Sequence, residues 1–133
     1  MINNTLRAMA AVAIGCAVFG FGMPVAQAQG DPVTWDCLGH PQVRPGEMTL
    51  ACADNGEYLK QIHWTAWRPW HAAGTAVVWQ NLCQPNCAAG NYVHGPGTVV
   101  LSDYNPARND FGKATVTDSR GRVTTWPLTV QQD

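Results

Sequence analysis

The sequence has few charged side chains, and they do not cluster by sign. Its 133 residues include eight Lys and Arg against nine Asp and Glu, which gives a net charge of −1. Because there is no basic stripe and no acidic tail, nucleic acid and anionic membrane surfaces are poor candidates as partners. The chain also has no internal repeat and no low-complexity stretch.

Groups that build catalytic and metal sites are scarce as well. Beyond residue 28 the only serines are Ser102 and Ser119, and neither lies in the G-x-S-x-G motif of many hydrolases. The four histidines are scattered, and Asp54 and Glu57 flank a turn, where we expect solvated carboxylates. We therefore predict no catalytic residue, no metal and no cofactor, and we favour a protein that is not an enzyme.

A helical pattern is missing too. No segment keeps apolar residues at a 3.6-residue spacing for three turns, whereas seven short runs have strand character. Asn55-Gly56 is a hairpin signal, and a further turn is predicted over 118–121. Alternation after Met48 places Leu50 and Cys52 on one face, so the Cys52 sulfur is predicted to point inward. The fold predicted is all-β, a small antiparallel β-sandwich of Ig-like size.

The amino terminus has the features of a secretory signal peptide. One early cation, Arg7, precedes the apolar run 8–18, and small residues lead to Ala26-Gln27-Ala28. We predict a signal peptide over 1–28 and a single β domain over 29–133. The domain is expected to be secreted, extracellular or cell-wall associated.

Two other interpretations of this terminus are a membrane anchor and lipoprotein processing. A membrane anchor needs about 20 apolar residues, and glycines and Pro24 interrupt the run here. Lipoprotein processing would cleave before Cys16, but the apolar run continues past that residue, which a mature lipoprotein does not need. Cleavage after Ala28 leaves no membrane span in the mature chain.

Four cysteines remain after residue 28, and in a small secreted domain they predict two disulfides with three possible pairings. They are Cys37, Cys52, Cys83 and Cys87. Sequence order favours Cys37–Cys52 and Cys83–Cys87, because Pro and Asn at 85–86 suit a tight turn between the second pair. A zinc site using Cys83, Cys87 and a histidine is the competing interpretation. Structural zinc usually has two tight ligand pairs, and only one is present.

Six tryptophans after residue 28 are the most unusual feature of the composition, and three of them lie in the segment 64–70. Alternation puts Trp64 on the core face and Trp67 on the opposite face, and Trp70 follows Pro69 in a predicted loop. We predict a binding face for an envelope glycan or a protein, with Trp79 as a further candidate. Its residues are Trp67, Arg68, Trp70 and His71. The alternative is that these tryptophans fill the core.

Several segments resemble a family of small secreted actinobacterial proteins. They are Cys37 with PQVRP at 41–45, LACAD at 50–54, Tyr58-Leu59 with Trp64 and Trp67, and NLCQPNCAAG at 81–90, where the block 83–90 is most specific. The resemblance spans about half of the mature chain and does not extend over 108–133. It implies a secreted or wall-associated protein built on the four cysteines, and it transfers no activity to any residue.

These observations favour a non-catalytic extracellular or cell-envelope binding domain. The alternatives are a structural or interaction protein without a small-molecule ligand, and a small secreted hydrolase. A binding domain is favoured if Trp67, Trp70 and Trp79 are exposed and adjacent. Burial of these tryptophans favours a structural role. A polar cleft that contains His and Asp favours a hydrolase.

Overall fold

The protein is all-β and antiparallel, as predicted. The computed structural model describes residues 20–23 and 29–128, and within these ranges it contains eight strands and no helix. The strands are β1 (Thr34–Trp35), β2 (Pro41–Gln42), β3 (Met48–Thr49), β4 (Glu57–Arg68), β5 (His71–Asn81), β6 (Tyr92–Asn105), β7 (Asp110–Thr117) and β8 (Val123–Pro127). Apart from 20–23, the predicted signal peptide lies outside the described residues, and so does Cys16.

Six of the strands form one sheet in the order β3-β4-β5-β6-β7-β8, in which every neighbour is the next strand along the chain. Such a meander needs only hairpin turns between its strands. Strands β1 and β2 form a separate two-stranded sheet, which meets β7 through a bridge between Val33 and Asp110. The two sheets together give a sandwich-like arrangement.

The large sheet is curled into a half-barrel. In a flat sheet β4 and β8 would lie about 19 Å apart, four spacings of roughly 4.8 Å. Hydrogen bonds nevertheless join Glu57 of β4 to Thr124 and Trp126 of β8, at 2.6 and 3.2 Å. The side chains inside the curl form the hydrophobic core, and those with no exposed surface include Leu59, Val99, Leu101, Phe111 and Val116.

The segment before β3 covers the outer edge of β4, which would otherwise expose unpaired backbone groups. The N–H of Ile62 donates to the carbonyl of Gly46 at 3.0 Å. The indole N–H of Trp64 donates to the carbonyl of Pro45 at 2.9 Å. These bonds tie the amino-terminal segment to the sheet.

Strand β4 contains two bulges, and the second of them, between Trp64 and Ala66, corrects the predicted position of Trp67. The pairing of β4 with β5 shifts by one residue between Lys60 and His63, and again between Trp64 and Ala66. A bulge inserts one extra residue, so alternation restarts after it. Trp64 and Trp67 therefore face the same side, and the prediction that Trp67 lies opposite Trp64 is wrong.

Both predicted disulfides are confirmed: Cys37 is bonded to Cys52, and Cys83 to Cys87. The inward direction predicted for Cys52 is wrong, because this residue is exposed. The N–H groups of Leu50 and Ala51 both donate to the carbonyl of Glu57, at 3.0 and 3.2 Å. Because two successive N–H groups share one carbonyl acceptor, the regular alternation of faces in this segment ends before Cys52.

Both predicted hairpin turns are present. Asn55 has a φ of 54° between β3 and β4, and Asp54 Oδ1 accepts a hydrogen bond from the N–H of Gly56 at 2.9 Å. Between β7 and β8, Asp118 Oδ1 accepts from the N–H groups of Arg120 and Arg122, both at 2.9 Å. Short acidic side chains stabilise turns in this way.

Candidate functional site

The turn between β4 and β5 is the shortest loop in the large sheet and presents an unusual residue. Pro69 and Trp70 form it, and the flanking Arg68 and His71 are register partners. Trp70 has a φ of 74°. A proline followed by a positive φ is the pattern of a type II turn, whose second central position normally holds glycine.

Trp70 is both conformationally disfavoured and exposed. A bulky residue at positive φ is an outlier in backbone geometry, with a cost of about 1–3 kcal/mol. Its side chain keeps 66% of its surface exposed, so burial does not repay this cost. The turn geometry alone would be satisfied better by glycine. Neither the turn geometry nor burial therefore accounts for a tryptophan at this position.

The exposed indole rests against a fixed ring. Trp70 contacts Tyr104 edge to face, with 5.0 Å between ring centroids. The hydroxyl of Tyr104 donates to Asn109 Oδ1 at 2.7 Å, and the Asn109 amide donates to the carbonyls of Gly30 and Asp31. Tyr104 is thus anchored through Asn109 to the amino-terminal segment, and the ring that Trp70 contacts is held in place. A restricted side chain loses less entropy when it binds.

Polar residues flank the Pro69-Trp70 turn on both sides in the sequence. Arg68 and His71 are exposed, and Arg68 forms no ion pair within residues 29–128. An exposed Trp beside an unpaired Arg has the composition of interaction hot spots. The structure therefore brings together three of the four predicted site residues, and we name Arg68, Trp70 and His71 the Trp70 turn.

The fourth predicted residue, Trp67, belongs to the core. Only 7% of its surface is exposed, and its ring packs edge to face on Trp64 and Phe111. Its indole N–H donates to the carbonyl of Pro32 at 2.9 Å. Because both the ring and its one polar atom are satisfied internally, Trp67 has no free group for a partner.

Trp79 lies elsewhere, in a row of rings across the outer face of the sheet. Tyr58, Trp79 and His94 are register partners on β4, β5 and β6. Their rings stack with centroid distances of 5.7 and 4.2 Å, and Lys60 Nζ lies 5.6 Å from the Tyr58 ring. Cross-strand pairs of this kind stabilise sheets. The sequence pattern does not predict this row, because it depends on the register between the strands.

Glu57 is buried rather than solvated, which corrects the prediction made for it. Its exposed fraction is 3%. Oε1 accepts from the Thr124 hydroxyl and the Trp126 indole N–H, and Oε2 accepts from the Gln80 amide at 3.2 Å. Because both of its carboxylate oxygens accept hydrogen bonds, Glu57 links β4 to β8 across the curled sheet. Buried polar groups are normally paired in this way.

A polar cleft of about 230 Å³ brings His94, Asp118 and Ser119 to one place. No hydrogen bond joins the three among the described residues, and Asp118 is engaged by its own turn. A hydrolase would need a nucleophile hydrogen-bonded to a base, and the base to an orienting group. His94, Asp118 and Ser119 do not form these hydrogen bonds with one another.

The pKa of Asp118 is set by opposing effects. Burial raises it, but the N–H groups of Arg122 and Arg120 and their guanidinium charges, 3.7 Å from Oδ2, hold the pKa below its usual value of 3.8. A depressed carboxyl pKa adds stability that is present above the unfolded pKa and is lost as the pH falls through the folded pKa.

We therefore expect wild type to lose its stability advantage over Asp118→Asn as the pH falls through and below the usual carboxyl pKa of 3.8. Urea unfolding at several pH values measures the difference. Parallel pH profiles for the two proteins would contradict this account of the turn. Asp103→Asn, which alters an exposed carboxylate 3.4 Å from Lys113, is the matched control.

Within the part of the chain that the structure covers, no helix is long and apolar enough to cross a membrane. In the same residues, no group of three or more His, Cys, Asp or Glu side chains is placed to hold a metal ion. No family model matches the chain, and the comparisons with curated proteins and with solved structures found no match.

Proposed function

We propose that this protein is a non-catalytic binding domain of the cell envelope or its surroundings, and that the Trp70 turn is its contact surface. The signal-like segment 1–28 supports export, and two disulfides are typical of proteins in oxidising compartments. Its proposed setting is that of the small secreted actinobacterial proteins it resembles.

One observation carries the proposal: a tryptophan occupies a turn position where glycine would cost less. Strained residues persist where the surrounding structure enforces them, and they concentrate at functional sites. Trp70 is exposed, so the core does not require it. The indole, with Arg68 and His71 beside it, supplies apolar area and polar groups on a rigid hairpin. Recognition residues are commonly held on loops in this way.

The structural alternative draws support from Trp67, which is buried, and from Trp79, which is covered by neighbouring rings. It does not account for Trp70. The hydrolase alternative draws support only from the cleft at His94, whose polar groups are not linked. Variants of the Trp70 turn can therefore test a binding domain against a purely structural one.

The decisive variant is Trp70→Gly. Glycine relieves the positive φ but loses the contact with Tyr104, and an aromatic contact is worth about 0.5–1.5 kcal/mol. We expect the free energy of unfolding to change by less than about 1 kcal/mol, because these effects oppose each other. Cosedimentation with isolated cell-envelope fragments is expected to fall at least about tenfold, as for loss of a hot-spot residue.

Controls make this result interpretable. Leu38→Ala removes another exposed apolar side chain, 80% exposed, and should leave cosedimentation unchanged. Protease treatment of the fragments removes a protein partner, and periodate oxidation removes a glycan partner. If Trp70→Gly cosediments as well as wild type, the Trp70 turn is not the contact surface.

A further inference from the structure

A second concave surface lies where the curled sheet fails to close. A cleft of about 640 Å³ separates the segment joined by the Cys37–Cys52 disulfide from the end of β8. This volume is in the range of small-molecule sites, which are about 300–1,000 Å³. The cleft does not include any residue of the Trp70 turn.

The floor of the cleft is apolar and fixed. Leu50 and Leu128 line it and are almost completely buried. Trp35 and Trp126 also line it, and each has its indole N–H bonded to a carboxylate, on Asp110 and Glu57 respectively. Since these N–H groups are already used, the two tryptophans offer only apolar surface to a ligand. Pockets of this kind hold the apolar body of a ligand by burial.

The charged side chains that line the cleft are acidic. Among the described residues, Asp36 and Asp54 line it, and no Lys, Arg or His does. Asp36 is already hydrogen-bonded to the backbone and side chain of His40. Asp54 is exposed, and only its Oδ1 is engaged, by the N–H of Gly56. One carboxylate oxygen therefore remains available beside an apolar floor.

We propose that this cleft binds an amphipathic molecule with an apolar body and one cationic group, such as a primary amine. The apolar body lies on Leu50, Trp126 and Leu128, and the cationic group pairs with Asp54. Charge complementarity selects this class over neutral and anionic molecules of the same length.

Three probes of equal chain length test the proposal: n-octylamine, octan-1-ol and sodium octanoate. Each is titrated into the full chain while the indole N–H signals are followed by NMR. Octylamine should shift the Trp35 and Trp126 signals at the lowest concentration, octanol at a higher one, and octanoate should bind most weakly. Trp70, which lies outside the cleft, serves as the internal reference for unspecific contact.

The matched variants are Asp54→Asn and Asp103→Asn. Asparagine at 54 keeps the side-chain oxygen that accepts from Gly56 but removes the charge. The octylamine affinity should fall about two- to fivefold, the value of one exposed ion pair, while octanol binding stays unchanged. Asp103→Asn should alter neither.

Several results would overturn the proposal. They are equal affinities for octylamine and octanoate, an octylamine affinity that Asp54→Asn leaves unchanged, and shifts that are as large at Trp70 as at Trp35 and Trp126. Absence of any shift in the presence of millimolar octylamine would overturn it as well, because the apolar floor would then be inaccessible.

Discussion

Replacement of Trp67 by Ala is expected to lower the free energy of unfolding by about 3–5 kcal/mol, the usual cost of truncating a large buried aromatic side chain. The ring is packed between Trp64 and Phe111, and its N–H bonds the carbonyl of Pro32. The variant leaves a cavity in the core and one unpaired carbonyl at the amino-terminal segment. Urea unfolding followed by circular dichroism measures the change.

The matched comparison is Trp70→Ala, three residues further along the chain. Alanine keeps the unfavourable positive φ and loses only the contact with Tyr104, so the cost should stay below about 1.5 kcal/mol. A large difference between the two variants would show that the two tryptophans have separate roles. Similar losses in both would mean that the Trp70 turn is part of the core, and would end the binding proposal for this surface.

Replacement of Glu57 by Ala is expected to be nearly as severe. It leaves the buried Gln80 and the half-buried Thr124 and Trp126 without their acceptor, and an unpaired buried donor costs about 1–3 kcal/mol. We expect a total loss of about 3 kcal/mol or more. The tie between β4 and β8 is lost at the same time, so hydrogen exchange in β8 should accelerate more than in β5.

Two control variants separate this effect from a general loss of charge. Glu57→Gln keeps one oxygen for Thr124 and Trp126, and rotation of the Gln80 amide can restore the third bond, so a smaller cost is expected than for Ala. Glu47→Ala removes an exposed carboxylate next to β3 and should change the stability by less than about 0.5 kcal/mol. Equal effects of Glu57→Ala and Glu57→Gln would refute the role of the hydrogen bonds.

The two sets of variants separate the scaffold from the proposed contact surface. Trp67 and Glu57 maintain the curl and the core, whereas Trp70 projects from a hairpin that the curl holds in place. A domain with this division can change its recognition residues without losing its fold, because Arg68, Trp70 and His71 make few internal contacts. Composition alone does not distinguish the exposed Trp70 from the buried Trp67.

Local sequence determined the features that depend on neighbours along the chain. The Asn55-Gly56 turn and the turn at Asp118 follow from side-chain and backbone preferences over three or four residues. The local disulfides and the loop position of Trp70 after Pro69 belong to the same class. The all-β fold also follows, because period-two patterning and turn residues recur without a helical stripe.

Only the tertiary structure decided which side chains are inside. A single extra residue reverses the face of the residues after it. The bulge between Trp64 and Ala66 therefore brings Trp67 into the core, although strict alternation from Trp64 places it outside. Glu57 follows a hairpin turn, and this position predicts a solvated carboxylate. The curl of the sheet nevertheless brings Thr124 and Trp126 to it across three intervening strands. Bulges and curl arise from packing between strands distant in sequence, so no local pattern records them.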